Sequence, residues 1–199
     1  MSLPARIIEE RIVPVARGLD ASSAPALLEA LGAGGIHSLE VTMEGRGGLE
    51  ALAAVAGGDF VVGAGTIVTI SQAERAVEAG AGFLVSPHLD VTLLEWAAGT
   101  GVPLIPGALT PTEIFTAWRH GPPAVKVFPA RVGGAGYVKS LFGPYPDLRL
   151  IPTGGVDGDN AADYLSAGAV AVGVGGWLTG HTDLAVVMER AAQLKQLVV

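Results

Sequence analysis

The 199-residue sequence predicts an α/β fold, a (β/α)8 TIM barrel with a short N-terminal helix, spanning residues 1–199 as a single domain, and three observations predict it. A unit made of a β-branched run, a Gly/Pro/Thr-rich turn and an Ala/Leu-rich helical stretch recurs eight times. The units are spaced by roughly 20 to 26 residues, enough for a strand, two loops and a helix, as a parallel βα fold requires. No linker interrupts the series, and half of the residues are hydrophobic, so the chain can bury one substantial core. A doubly wound open sheet would use the same units, but eight near-regular repeats favour closure.

The first element is the short helix near residues 4–11, ahead of the first β-branched run. The strand runs follow as IVPVAR from Ile12, SLEVTM from Ser38, FVVGAGT from Phe60, FLVSP from Phe83, PLIPGAL from Pro103, AVKVFPA from Ala124, RLIPTGG from Arg149 and AVAVGVG from Ala169. Between them, APALLEALGAGG, GGLEALAAVAGG, SQAERAVEAGA, VTLLEWAAGTG, PTEIFTAWRHG and DGDNAADYLSAGA read as helices, and DLAVVMERAAQLKQLVV closes the series. Most of them stop at glycine, the residue that most readily takes the left-handed backbone of a helix C-terminus. The weakest is GGAGYVKSLFGPYP, whose glycines leave room for only a short helix.

Composition narrows the function. A net charge of −7 with no cluster of Lys or Arg argues against a nucleic-acid partner or an anionic membrane surface. No apolar run approaches the roughly 20 residues of a membrane span, and MSLPARIIEER lacks the apolar core of a secretory signal. The absence of cysteine excludes disulfides, thiolate catalysis and Cys-ligated metals. A cytoplasmic protein acting on a small molecule is expected.

Lys126 stands out because the chain has only three lysines and this one lies between two valines of a buried run. Side chains alternate along a strand, so Val125 and Val127 should meet the helices while Lys126 and Phe128 share the other face and point inward. The same alternation places Leu39, Val41 and Met43 outside and Ser38, Glu40 and Thr42 inside. Glu40 and Lys126 are therefore expected to face a common interior near the C-terminal ends of the strands, where such folds keep their sites. A buried ion pair that merely joins two strands is the plain alternative. Burying an ammonium is costly, however, and a lysine kept partly neutral is a nucleophile toward carbonyls, with a neighbouring carboxylate to move protons. The combination points to Schiff-base chemistry.

The last two strand runs end in PTGGV and VGVGGWL, with Gly154, Gly155, Gly173, Gly175 and Gly176. Loops after the seventh and eighth strands of such folds often bind phosphate through backbone N–H groups, so the two glycine loops together favour an anion site. His37, His88, His120 and His181 are dispersed without metal-ligand spacing, and no metal or cofactor is expected. Trp96 and Trp118 read as packing residues of helices.

In order and spacing, IVPVARG, LEVTM, VGAGT, AGAGFLVSP, PLIPGALTPTE, VKVFPA, PTGGV and VGGWL resemble the 2-keto-3-deoxy-6-phosphogluconate (KDPG) aldolase and 4-hydroxy-2-oxoglutarate (KHG) aldolase family along nearly the whole chain. The resemblance implies that Lys126 forms a Schiff base with the substrate C2 ketone and that Glu40 is the general acid/base. It implies that Thr66 and Pro87 line the pyruvate end, that Phe128 packs beside the imine with Thr153 on the substrate, and that Gly154, Gly155, Gly175 and Gly176 hold a distal phosphate. It also implies a homotrimer acting on a keto acid to release pyruvate.

Three positions depart from the family pattern. Glu44 stands where many members carry an arginine for the substrate carboxylate, leaving Arg17 or Arg46 to supply the cation, with Arg17 preferred. Gly176 replaces a serine of the phosphate loop, and His88 replaces a glycine at the mouth. A substrate that is less phosphate-dependent, such as 4-hydroxy-2-oxoglutarate, or the galactonate epimer, competes with the phosphorylated gluconate-type sugar acid. A phosphate-binding isomerase or synthase, and a barrel without catalysis, are the alternatives of another class.

Overall fold

The computed structural model of the chain describes residues 2–45 and 47–198. Helix α1 (Ala5–Glu10) leads into β1 (Ile12–Ala16), α2 (Ala24–Ala33), β2 (Ser38–Thr42), α3 (Gly48–Val55), β3 (Val61–Gly65), α4 (Ile70–Glu78), β4 (Leu84–Val85) and α5 (Val91–Thr100). Then come β5 (Leu104–Ile105), β6 (Gly107–Ala108), α6 (Pro111–Arg119), β7 (Val125–Val127), a 3-10 turn (Ala130–Val132), α7 (Gly134–Leu141), β8 (Leu150–Pro152), α8 (Ala161–Ser166), β9 (Val172–Val174), α9 (Gly176–Thr179) and α10 (Leu184–Leu197). Every expected run contains a strand. The doubtful segment after the sixth run does form a helix, α7, and is eight residues long. The 3-10 turn and α9 are additions, too short at three and four residues to show a helical period.

All strand pairs are parallel. They form a curled sheet whose hydrogen bonding falls into two parts, β5-β4-β3-β2-β1-β9 and β6-β7-β8, rather than one uninterrupted eight-strand ladder. The division runs through the fifth run at Pro106, which has no N–H to donate. On one side of it the Ser86 N–H donates to the Ile105 carbonyl, and on the other the Lys126 N–H donates to the Pro106 carbonyl at 2.9 Å. At the second junction β8 and β9 meet through the Thr153–Gly173 bridge and a bond from the Val170 N–H to the Leu150 carbonyl.

Two apolar cores follow from strand alternation. The outer core packs the helices on the strands and takes in Leu39, Val41, Val125 and Val127, all fully buried. The inner core lies on the opposite strand faces, where Leu3 and Ile7 of the N-terminal segment join Val13, Phe83, Val85, Ile105 and Ile151. Helix starts are set by side-chain caps, as at Thr69, Asp90 and Thr110, the last completing a reciprocal capping box with Glu113. At the foot of β2 the buried Glu10 carboxylate accepts the His37 N–H at 2.9 and 3.0 Å, tying α1 to the strand.

The inner core is tightly filled. A Cβ at Gly63 would lie 2.5 Å from two carbons of the fully buried Phe83 ring. Gly63→Ala should therefore destabilise the protein by about 1 to 3 kcal/mol through overpacking. Urea unfolding checks this; an unchanged midpoint would mean that the ring can move aside at no cost.

Candidate active site

Lys126 projects from β7 into the interior and is 5% exposed, while Glu40 projects from β2 and is 3% exposed. Lys126 Nζ and Glu40 Oε1 are 3.6 Å apart. That is an ion pair, but it is wider than the roughly 2.7–2.9 Å of a charge-assisted hydrogen bond. Glu40 Oε1 is buried without a hydrogen-bonding partner among the described residues. The carboxylate owes its place to Gly65 on β3, where any Cβ would overlap it. The Phe128 ring centroid lies 5.2 Å from Nζ, within range of a cation–π contact.

The pair adds little net stability. At an effective dielectric of about 20, attraction at this distance is of order 4 to 5 kcal/mol, whereas removing each ion from water costs several kcal/mol. The two roughly cancel. A pair that adds little net stability, and leaves an acceptor unpartnered, is suited to hold a group that enters between its members. A small void of about 10 Å³ is lined by Glu40, Lys126, Thr153, Gly173 and apolar residues of the inner core.

Above it, at the C-terminal ends of the strands, a cleft of about 410 Å³ is lined by Arg17, Phe128, Arg131, Thr153, Gly154, Gly155, Asp157, Gly175, Gly176 and Trp177 among others. Thr153 borders both spaces. Gly154 and Gly155 have φ of 89° and 85°, a left-handed backbone that suits glycine and turns successive N–H groups to one side. The N–H groups of Gly154, Gly155, Gly175 and Gly176 donate no backbone hydrogen bond among the described residues. The arrangement offers an amine and a carboxylate on a small void and, adjoining it through Thr153, a cleft whose rim carries N–H donors and arginines.

The structure thus brings Lys126, Glu40, Arg17, Phe128, Thr153, Gly154, Gly155, Gly175 and Gly176 around two adjoining spaces. Thr66 and Pro87 follow the C-terminal ends of β3 and β4 but line neither space. Thr66 has φ of 58°, rare for a β-branched residue, so the backbone at the end of β3 is strained. His88 is exposed and also lies outside both spaces. Another cleft of about 430 Å³, lined by Met43, Gly48, Gln72 and Arg75 among others, contains neither member of the buried pair. Among the described residues no group of three His, Cys, Asp or Glu is arranged to hold a metal.

Glu44, the departure that left the substrate carboxylate without its arginine, pairs with Arg17 at 2.9 Å. Burial works to raise the Glu44 pKa, but the Thr66, Arg17 and Thr42 side chains together hold it below its ordinary 4.5. Arg46, the other candidate cation, lies outside the described residues. The sequence reading missed Arg131, Asp157 and the rim position of Trp177. The signal for Arg131 was its place directly after KVFPA, but the 3-10 turn that aligns it with the cleft is too short for periodicity to detect.

Known proteins match the chain over nearly its whole length. The family model described as KDPG and KHG aldolase matches residues 3–193. The chain belongs to the KDPG and KHG aldolase family. Within that family it is 39% identical over 173 residues to a 2-dehydro-3-deoxy-phosphogluconate aldolase of Pseudomonas aeruginosa, covering 85% of this chain and 79% of that one. A solved 4-hydroxy-2-oxoglutarate/2-dehydro-3-deoxyphosphogluconate aldolase superposes with a TM-score of 0.91 at 35% identity, covering 98% of each chain. A Legionella pneumophila KDPG aldolase, solved with pyruvate captured as a covalent carbinolamine intermediate, superposes at 0.83 with 32% identity over 98% of this chain and 95% of that one.

The depressed Glu44 pKa makes a stability prediction with a defined sign. A carboxyl held lower in the folded than in the unfolded state stabilises at pH above its unfolded value, and the gain is lost as pH falls through the folded value. Glu44→Gln should therefore lower Tm at neutral pH, and its difference from wild type should shrink on acidification below the ordinary value of 4.5. Thermal melts from about pH 7 to pH 3 test this; a difference that does not depend on pH would dismiss the ionised Glu44–Arg17 contact as its source.

Proposed function

We propose that the protein is a class I aldolase that cleaves a 2-keto-3-deoxy-6-phospho sugar acid of the gluconate type to pyruvate and glyceraldehyde 3-phosphate through a Schiff base on Lys126. The observation that carries this is the buried Lys126–Glu40 pair, 3.6 Å apart, with a carboxylate oxygen left without a partner. The unprotonated Lys126 amine attacks the C2 ketone, and Glu40 transfers the protons that convert the carbinolamine to an imine by loss of water. The cationic imine lies beside the Phe128 ring and withdraws electrons from C3. Glu40, directly or through a water, takes the proton of the C4 hydroxyl. The C3–C4 bond breaks, the aldehyde leaves, and the remaining enamine is protonated at C3 and hydrolysed to pyruvate. This cycle requires no metal or cofactor.

Arg17, oriented by Glu44, is the cation proposed for the substrate carboxylate, with Thr153 beside the reacting carbons. Thr66 and Pro87 bound the pyruvate end from the neighbouring strand ends. Gly154, Gly155, Gly175 and Gly176 offer N–H donors to a distal anion. A second substrate, 4-hydroxy-2-oxoglutarate, is favoured by one observation: Gly176 brings no side-chain donor to the rim. We further propose that the two hydrogen-bonded sheets act as one (β/α)8 barrel, supported by the bridge between Thr153 and Gly173. A cytoplasmic homotrimer of single-domain chains completes the proposal. Exposed Ile8, Val68, Val132 and Met188 are apolar surface available to subunit contacts, and no described helix is long and apolar enough to cross a membrane.

Incubation with pyruvate and borohydride, followed by peptide mass analysis, should place a reduced adduct on Lys126. Absence of an adduct at saturating pyruvate would remove the imine mechanism. Lys126→Ala should abolish both trapping and cleavage. Glu40→Gln should retain pyruvate binding while lowering kcat by about 100-fold or more, as loss of a general acid/base does; full activity would remove the role of Glu40.

A further inference from the structure

The cleft above Lys126 contains two arginines, and they are not equivalent. Arg17 is committed to Glu44 at 2.9 Å. Arg131, on the 3-10 turn after β7, is exposed, and its guanidinium makes no ion pair or side-chain hydrogen bond among the described residues. Its position is nonetheless built. The Arg131 N–H donates to the Gly154 carbonyl at 3.0 Å, fastening the turn to the first glycine loop. Its aliphatic stem lies along the second glycine: a Cβ on Gly155 would be 2.6 Å from Arg131 Cβ, 3.3 Å from Cγ and 3.1 Å from Cδ. Gly155 therefore serves the arginine stem as well as the left-handed turn.

Across the cleft, Gly176 has no side chain, and a Cβ there would meet nothing within 4 Å. The rim is open on that side and lacks a hydroxyl donor. The carboxylate that could oppose Arg131, Asp157, accepts the Asp159 N–H at 3.0 Å at the start of the next helix. The space among these residues is rimmed by the N–H groups of the glycine loops, one uncommitted guanidinium and the Asp157 carboxylate; its donors outnumber that one carboxylate and match a tetrahedral dianion.

We propose that Arg131 binds the distal phosphoryl group of the substrate, and is the residue through which this chain prefers a phosphorylated to an unphosphorylated 4-hydroxy-2-keto acid. The proposal rests on the aldolase function for its substrate, but not for the anion site itself. Arg131 lines the cleft and not the void at Lys126, so its contribution appears in the choice of substrate. A hydrogen-bonded charge pair of this kind is worth about 10- to 100-fold in binding.

Two measurements test it. Inorganic phosphate should raise the Tm of the wild-type protein, and Arg131→Gln should need at least about tenfold more phosphate for the same shift. The ratio of kcat/KM for the phosphorylated keto acid to that for its dephospho counterpart should fall about 10- to 100-fold in Arg131→Gln and be partly restored in Arg131→Lys, which keeps the charge without the planar fork. Because both substrates are measured on one preparation, the ratio is insensitive to the folded fraction. Equal phosphate responses in wild type and Arg131→Gln, or an unchanged ratio, would overturn the proposal. Borohydride trapping of pyruvate on the wild-type protein reports separately on the aldolase function; if trapping fails, the phosphate titration alone decides for Arg131.

Discussion

Two opposite charges held 3.6 Å apart inside a largely apolar sheet set the demands that the rest of the molecule meets. Each comes from a strand whose alternate residues seal the outer core, so neither can turn outward without breaking the packing of Val125, Val127, Leu39 and Val41. The carboxylate needs the missing side chain of Gly65 on the neighbouring strand. Below the pair, the inner core excludes water from the N-terminal side. The helices and outer core supply the stability against which this costly interior is maintained.

Stability and recognition are separated along the strand direction. At the N-terminal ends, side chains lock against one another, with Glu10 on the His37 backbone and Phe83 against Gly63. At the C-terminal ends the left-handed Gly154 and Gly155, together with the partly exposed Arg17, border an open cleft. Left-handed backbone occurs at both ends of the strands, and at Gly154 and Gly155 it borders the cleft, where ligand contact can use it.

Strand alternation made much of this legible in the sequence. It put Lys126 and Glu40 on one interior face, since a period of two assigns faces without reference to the rest of the fold. It could not show that the fifth strand run divides the hydrogen bonding at Pro106, because that depends on which neighbour each carbonyl faces. Nor could it pair Arg17 with Glu44, which follow the ends of β1 and β2 and meet through the register in which those two strands pair. Thr66 and Pro87 were assigned by resemblance alone, and they occupy strand ends outside both spaces. Arg131 was missed because a three-residue turn carries no periodic signature, although the turn decides where the guanidinium stem lies.

Leu3 and Ile7, packed into the inner core at the N-terminal ends of the strands, make the interior a blind well. Whatever reaches Lys126 must enter and leave through the same mouth. In an imine cycle the three-carbon fragment stays bonded at the bottom until hydrolysis frees it, so the aldehyde fragment must clear that one mouth first. The N-terminal helix thereby acts as the stopper that leaves both fragments one route out.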